Sequence, residues 1–156
     1  MKEHINGAKW WKFDFHNHTP KSFDYGRGNV IEKDISSKEW LLKYMAKDID
    51  CIAITDHNTG AFIDEVKKAY SELKTEHPEG FKELFIFPGV ELTVNGGIHI
   101  VAIFDPSKTS EDIAQIIGEC KYQGTSGDSN GVTSETLESV INIINKKKWY
   151  SNPSTC

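Results

Sequence analysis

Two histidines one residue apart close a hydrophobic segment, Trp11-Lys12-Phe13-Asp14-Phe15-His16-Asn17-His18. Side chains alternate between the faces of a strand, so this spacing predicts Asp14, His16 and His18 on one face and Phe13 and Phe15 on the other. Two imidazoles side by side at a strand end form half of a metal site. Further candidates recur: Asp56 and His57 in Ile54-Thr55-Asp56-His57-Asn58, Glu91 in Phe87-Pro88-Gly89-Val90-Glu91, and His99 in the next apolar run. Histidine combined with carboxylate suits zinc, manganese or iron. Taken singly, each has a plainer reading. A buried histidine is usually a core residue with a satisfied hydrogen bond, Asp56-His57-Asn58 reads as turn chemistry, and Glu91 as an edge residue. The joint pattern points to a metal centre, because each candidate lies in, at or just past a predicted strand. His4 and His77 fall outside it, one in the N-terminal tail and one at a helix end before Pro78.

The elements that must position these residues alternate. Strands are predicted over 11–16, 50–55, 84–87, 91–94 and 98–104. Ser36 or Ser37 caps a helix running to 47, with Trp40, Leu41, Tyr44 and Met45 at helical spacing. A second helix is predicted over 61–76, stopped by Pro78 and Gly80. A third follows Ser110, and a fourth is capped by Thr133 or Ser134. Asn95-Gly96-Gly97 predicts a hairpin or sharp turn. The 124–131 segment (Gly-Thr-Ser-Gly-Asp-Ser-Asn-Gly) has the glycine of a phosphate cradle but lacks the Gly-Lys-Ser/Thr ending, so it reads as a loop. Strands alternating with helices predict a parallel α/β sheet, open or wound toward a barrel. In such folds the C-terminal strand ends gather on one rim, where sites form.

Composition narrows the function classes. The chain has 156 residues and a net charge of −5, which gives no general attraction for nucleic acid or anionic membrane. A phosphate-containing substrate therefore needs local cations. Three cysteines argue against a disulfide framework: Cys51 reads as a small core residue, Cys120 as part of a helix, and Cys156 is terminal. The first ten residues carry no apolar run, and nothing approaches the length of a membrane span. A cytoplasmic setting, with no membrane partner, is the expectation. Trp10-Trp11-Lys12 reads as packing at a strand start, and Lys146-Lys147-Lys148 as a solvated helix end.

Asp14-Phe15-His16-Asn17-His18-Thr19-Pro20, Thr55-Asp56-His57, Pro88-Gly89-Val90-Glu91 and then His99, in that order, resemble the opening motifs of the PHP (polymerase and histidinol phosphatase) family. The resemblance covers 11–104. It implies a distorted (β/α)7 TIM-like barrel, a centre of up to three divalent metal ions, and phosphoesterase activity through metal-activated water without a side-chain nucleophile. The Gly-Ala-Lys-Trp-Trp-Lys-Phe-Asp-Phe-His and Phe-Pro-Gly-Val-Glu-Leu-Thr-Val-Asn-Gly-Gly stretches are more narrowly similar to TrlF-type proteins, in which a PHP domain leads into an AAA-like/SMC-like ATPase portion. Carried over, the resemblance implies that His16 and His18 hold one metal, that Glu91 bridges it to a second shared with His99, and that Asp24 and His57 hold a third. Asp14 and Asp56 would orient the histidines.

The family pattern continues with a further His motif and a late Asp-x-His, whereas no histidine follows His99 here. The expectation is a single incomplete PHP domain over 1–156, truncated at the C-terminus, with an aberrant tail over 149–156. One permitted codon choice for that tail, read one base later, gives Gly-Ile-Ala-Ile-Pro-Ala-His-Val-Asp, a buried strand ending in His. The chain is therefore expected to be a frameshifted remnant of a longer gene, which its coding DNA tests. A partial barrel exposes a sheet edge and apolar faces, so marginal stability or self-association is expected. Two other readings stand beside the enzyme: a catalytically inactive metal-binding half-barrel, or regulatory module of an ATPase-linked protein, and an amidohydrolase-type hydrolase. The early Asp56-His57 and Glu91 fit the amidohydrolase pattern less well.

Overall fold

The computed structural model describes residues 10–28 and 33–147. The tail over 149–156, on which the frameshift expectation rests, lies outside the described residues. Four strands form one sheet in the order β1 (Phe13–Asn17), β2 (Cys51–Ile54), β3 (Phe85–Val94), β4 (Ile98–Ile103). The first three are parallel, and β4 returns antiparallel to β3. The sheet is thus mixed α/β rather than parallel throughout. The reason is local: β3 and β4 are joined by only Asn95-Gly96-Gly97, too short for a crossover, and both glycines take positive φ.

Helix α1 (Ser37–Ala46) carries the chain from β1 to β2, and α2 (Ile63–Glu76) from β2 to β3. Ser36 and Glu39 close a reciprocal capping box at the start of α1, which places its Trp40, Leu41 and Met45 inward. These pack with Ile63, Val66 and Leu73 of α2 and with Ile52, Ile54 and Leu92 of the sheet in one buried cluster. Helix α3 (Ser110–Glu119) opens on a second capping box, Thr109 with Asp112, and adds Ile113 and Ile116 to that cluster. None of the described helices is long and apolar enough to cross a membrane.

Three differences from the sequence reading go beyond a residue or two at element ends. The two strands expected over 84–87 and 91–94 are one ten-residue strand, β3. Pro88-Gly89 reads as a breaker because a proline in a central strand donates nothing to the ladder. Here Pro88 accepts from Phe104 N at 2.8 Å, and Gly89 runs so close to its neighbours that a Cβ would lie 2.7 Å from the Ala102 carbonyl oxygen. The glycine-rich 124–131 segment is a loop as expected, but it is the tip of a small antiparallel ribbon whose two-residue strands, β5 (Tyr122–Gln123) and β6 (Val132–Thr133), the pattern did not show. Helix α4 (Leu137–Lys147) is capped by Thr136, whose Oγ1 accepts from Ser139 N at 3.2 Å, because Thr133 is spent in β6.

Candidate metal centre

Strand β1 ends with His16 and Asn17 and delivers His18 just beyond. Simple alternation does not run through it, because its register against β2 shifts between Asp14 and Asn17. Asn17 is the residue buried there, and it is fixed on several sides. Its Nδ2 donates to the carbonyls of Asp14 (2.6 Å) and Ala53 (3.3 Å), its Oδ1 accepts from the Tyr44 hydroxyl (2.6 Å), and its backbone N donates to Thr55 Oγ1 (2.9 Å). The asparagine between the two imidazoles therefore sets their backbone.

Glu91 is the convergence point. It lies inside β3, beyond the end of β2, where Asn58 N donates to its carbonyl (2.9 Å) and its own N donates to the Asp56 carbonyl (3.1 Å). Its side chain is only 5% exposed. His16 Nε2 (2.9 Å) and His18 Nε2 (2.8 Å) face one carboxylate oxygen, and His99 Nδ1 (2.7 Å) the other. His99 reaches it because β4 runs antiparallel, which puts the beginning of that strand on the rim where β1 and β2 end. It stands opposite Thr93 and diagonal to Glu91.

His57 lies between two carboxylates, with Nε2 at 3.4 Å from Asp24 Oδ2 and Nδ1 at 3.4 Å from Glu91 Oε2. Asp24 Oδ2 also accepts from His18 Nδ1 at 3.0 Å. The six side chains thus form three interlocked triads: His16–His18–Glu91, His18–Asp24–His57 and His57–Glu91–His99, each with donor atoms within 4.8 Å of one another. The structure brings together all six residues singled out as first-contact candidates.

The other two take different places. Asp56 is buried and accepts from Thr19 N (2.6 Å), Thr19 Oγ1 (2.6 Å) and Ser22 Oγ (3.0 Å). Ser22 Oγ accepts in turn from His57 N at 3.0 Å. Asp56 thus locks the turn leading to Asp24 onto the His57 backbone and bonds to no imidazole. Asp14 meets the rim only through its carbonyl, on Asn17. Thr19, Ser22, Asn17 and Tyr44 are supports to which the sequence reading assigned no such role. The visible signal for Asn17 was its position between two candidate ligands.

The electrostatics fit a cation. Burial works against ionisation of Glu91, but hydrogen bonds from His18, His16 and His99 outweigh it and hold the carboxyl well below the usual carboxylate range. The hydrogen bond to Glu91 raises His18 above its ordinary 6.5 despite burial, with Asp24 acting in the same direction. Burial pushes Asp56 up. An ionised Glu91 only accepts, so the ring nitrogens of His16, His18 and His99 that hydrogen-bond to it are the N–H donors in the cation-free chain. Those protons sit where cations would displace them. Two buried atoms, Asp24 Oδ1 and His57 Nδ1, have no hydrogen-bond partner. Unpartnered buried polar atoms are costly, and both belong to donors of the types that zinc, manganese and iron take.

Donor count limits how the triads fill. A neutral imidazole offers one lone pair, so His18 and His57 cannot each serve two triads at once. Two triads share only Glu91, whose carboxylate can bridge. The third draws on both shared histidines and so competes with each of the others.

No family model and no curated protein matches the sequence. Among solved structures, a proposed metal-dependent phosphoesterase from Bifidobacterium adolescentis is similar at 23% identity and a TM-score of 0.47, over 74% of this chain and 35% of that one. An amidohydrolase from Chromobacterium violaceum, solved with sulfate and no metal, is similar at 19% identity and a TM-score of 0.43, over 70% of this chain and 33% of that one. The chain spans about a third of the length of either. At that distance, the rim geometry is what bears on function.

Proposed function

We propose that this chain is a phosphoesterase-type metal-binding domain, built on part of a distorted barrel of the PHP kind. His16, His18, Asp24, His57, Glu91 and His99 are its metal donors. The observation that carries the reading is the convergence of the three triads on Glu91 and His57 from segments far apart in sequence. Bound divalent cations supply a water of lowered pKa and neutralise charge on a phosphate ester. The chain's own part is to present donors and bind. Glu91 stays ionised, His16 and His18 are aimed by the Asn17 anchor, and Asp56 holds the Asp24 turn against His57. No side-chain nucleophile is required. The substrate class is a nucleotide, nucleic acid or small phosphate ester.

One observation favours a second reading, a metal-binding module without turnover. Because His18 and His57 are shared between triads, these six residues cannot complete three separate coordination shells. Metal analysis of the purified chain, with a generic phosphodiester assay on wild type and His16→Ala, separates the two. Metal-dependent turnover that disappears in His16→Ala supports the enzyme. Cation binding without turnover supports the module, and no cation uptake defeats both.

A further inference from the structure

The glycine-rich tip between β5 and β6 packs into the rim. Gly127 N donates to the His57 carbonyl at 3.0 Å, and the Gly127 carbonyl accepts from Phe23 N at 2.8 Å. One residue thus links the backbone of one candidate donor, His57, to the residue beside another, Asp24. Asn58, at a left-handed φ of 48°, pins the tip to the sheet. Its Nδ2 donates to the Asp128 carbonyl (2.8 Å) and to Thr93 Oγ1 (3.0 Å), and its Oδ1 accepts from Thr93 N (2.9 Å). Tyr122 donates its hydroxyl to the same Asp128 carbonyl at 2.8 Å. Gly127 itself has φ +86°, and a Cβ there would overlap the Lys21 carbonyl oxygen. Glycine is required both for the backbone conformation and for the close approach.

We propose that the 124–131 tip is a gauge that sets the separation of Asp24 and His57 and thereby decides whether a cation is held between them, with Gly127 as its positioning residue. This rests on the metal-centre reading above. His57 stands 3.4 Å from both Asp24 and Glu91. His57 faces Asp24 through Nε2 and Glu91 through Nδ1, so a shift in the segment bearing Asp24 changes the first approach while leaving the second in place. The tip touches both segments and contributes no donor of its own to the triads.

Zinc binding to the whole chain, followed by equilibrium dialysis with metal counting, tests this without any activity readout. Gly127→Ala is expected to weaken, by roughly 10- to 100-fold, the zinc-binding step that Asp24→Asn also weakens. The double variant is expected to be no weaker than Asp24→Asn alone. Gly80→Ala is the matched control: Gly80 has φ +84° with no atom near its Cβ position, so the same backbone strain arises without the collision. It is expected to bind zinc as wild type does. A folded Gly127→Ala that binds zinc as wild type does overturns the proposal, as does a double variant whose losses simply add. Should Gly127→Ala not fold, Tyr122→Phe replaces it. Its expected loss of roughly 3- to 10-fold vanishes in the Asp24→Asn background, and a loss that persists there, or none at all, overturns the proposal. Absence of zinc uptake by wild type overturns the metal-centre reading itself, which is a different result from either.

Discussion

The two ends of one sheet invert each other. At the rim where β1 and β2 end, polar side chains are buried: Asn17, Thr55, Asp56, His57 and Glu91. At the opposite end, large apolar side chains are exposed: Trp11, Phe13 and Phe85, which line a common cavity with Cys51. Ordinary folding puts apolar groups inside and leaves carboxylates outside. A strand that does the reverse at both ends owes little of that arrangement to core formation. Among the described residues, the buried side-chain polar atoms of the rim are satisfied internally, apart from Asp24 Oδ1 and His57 Nδ1 in the triads. The base is held by aromatic contacts such as Trp11 on Phe85 at 5.5 Å, edge to face, and offers apolar surface outward.

The sharpest break in this contrast is Glu91→Gln. It removes the one carboxylate shared by two triads, and cation affinity is expected to fall by more than about 100-fold, beyond the cost of losing an outer partner. Metal counting after dialysis reads this. Next is Asp56→Ala, which strips three donors of their buried acceptor. Destabilisation of about 2–4 kcal/mol is expected in denaturant unfolding, with cation affinity reduced as a consequence.

Acidity sharpens the contrast further. His18 is raised, so its contribution to stability is complete below 6.5 and is lost as pH climbs through the raised value. Glu91 is lowered, so its contribution is present above 4.5 and fails only as pH falls through the depressed value. The cation-free chain should therefore lose a few degrees of Tm as pH rises from about 6.5 through the raised value of His18. Cation uptake should strengthen over the same interval, because the proton held by His18 competes with it. Calorimetry with and without zinc checks this, and parallel trends in the two samples would remove the rim from the explanation. The smallest effect is expected at the base: Phe85→Ser should shift stability by no more than ~1 kcal/mol and leave zinc binding unchanged.

Much of the rim was legible because its residues announce themselves by type. Histidines and acids ending apolar runs are informative in a one-dimensional pattern, and His16, His18, His57, Glu91 and His99 were found that way. Asp24 came from a resemblance rather than from its own Asp-Tyr-Gly context, which looks like any turn. The helices were legible from caps such as Ser36 with Glu39. The alternation of elements predicted a parallel sheet, which fails at β4, whereas the Asn95-Gly96-Gly97 link predicted a hairpin or sharp turn, the hairpin that returns β4 antiparallel. The supports were barely legible. Asn17, Ser22 and Gly127 act mainly through hydrogen bonds to residues far away in sequence, and apart from the place of Asn17 between two candidate ligands nothing in their local pattern separates them from turn residues.

The short link between β3 and β4 acts as a ruler. It holds Thr93 opposite His99 and so turns the imidazole toward Glu91. Strand faces alternate with every residue, so adding or deleting one position among 95–97 would present an isoleucine, Ile98 or Ile100, in its stead. Where the connection keeps its three residues, insertions are compatible with this arrangement only in even numbers, and an odd one must instead be taken up by a longer loop.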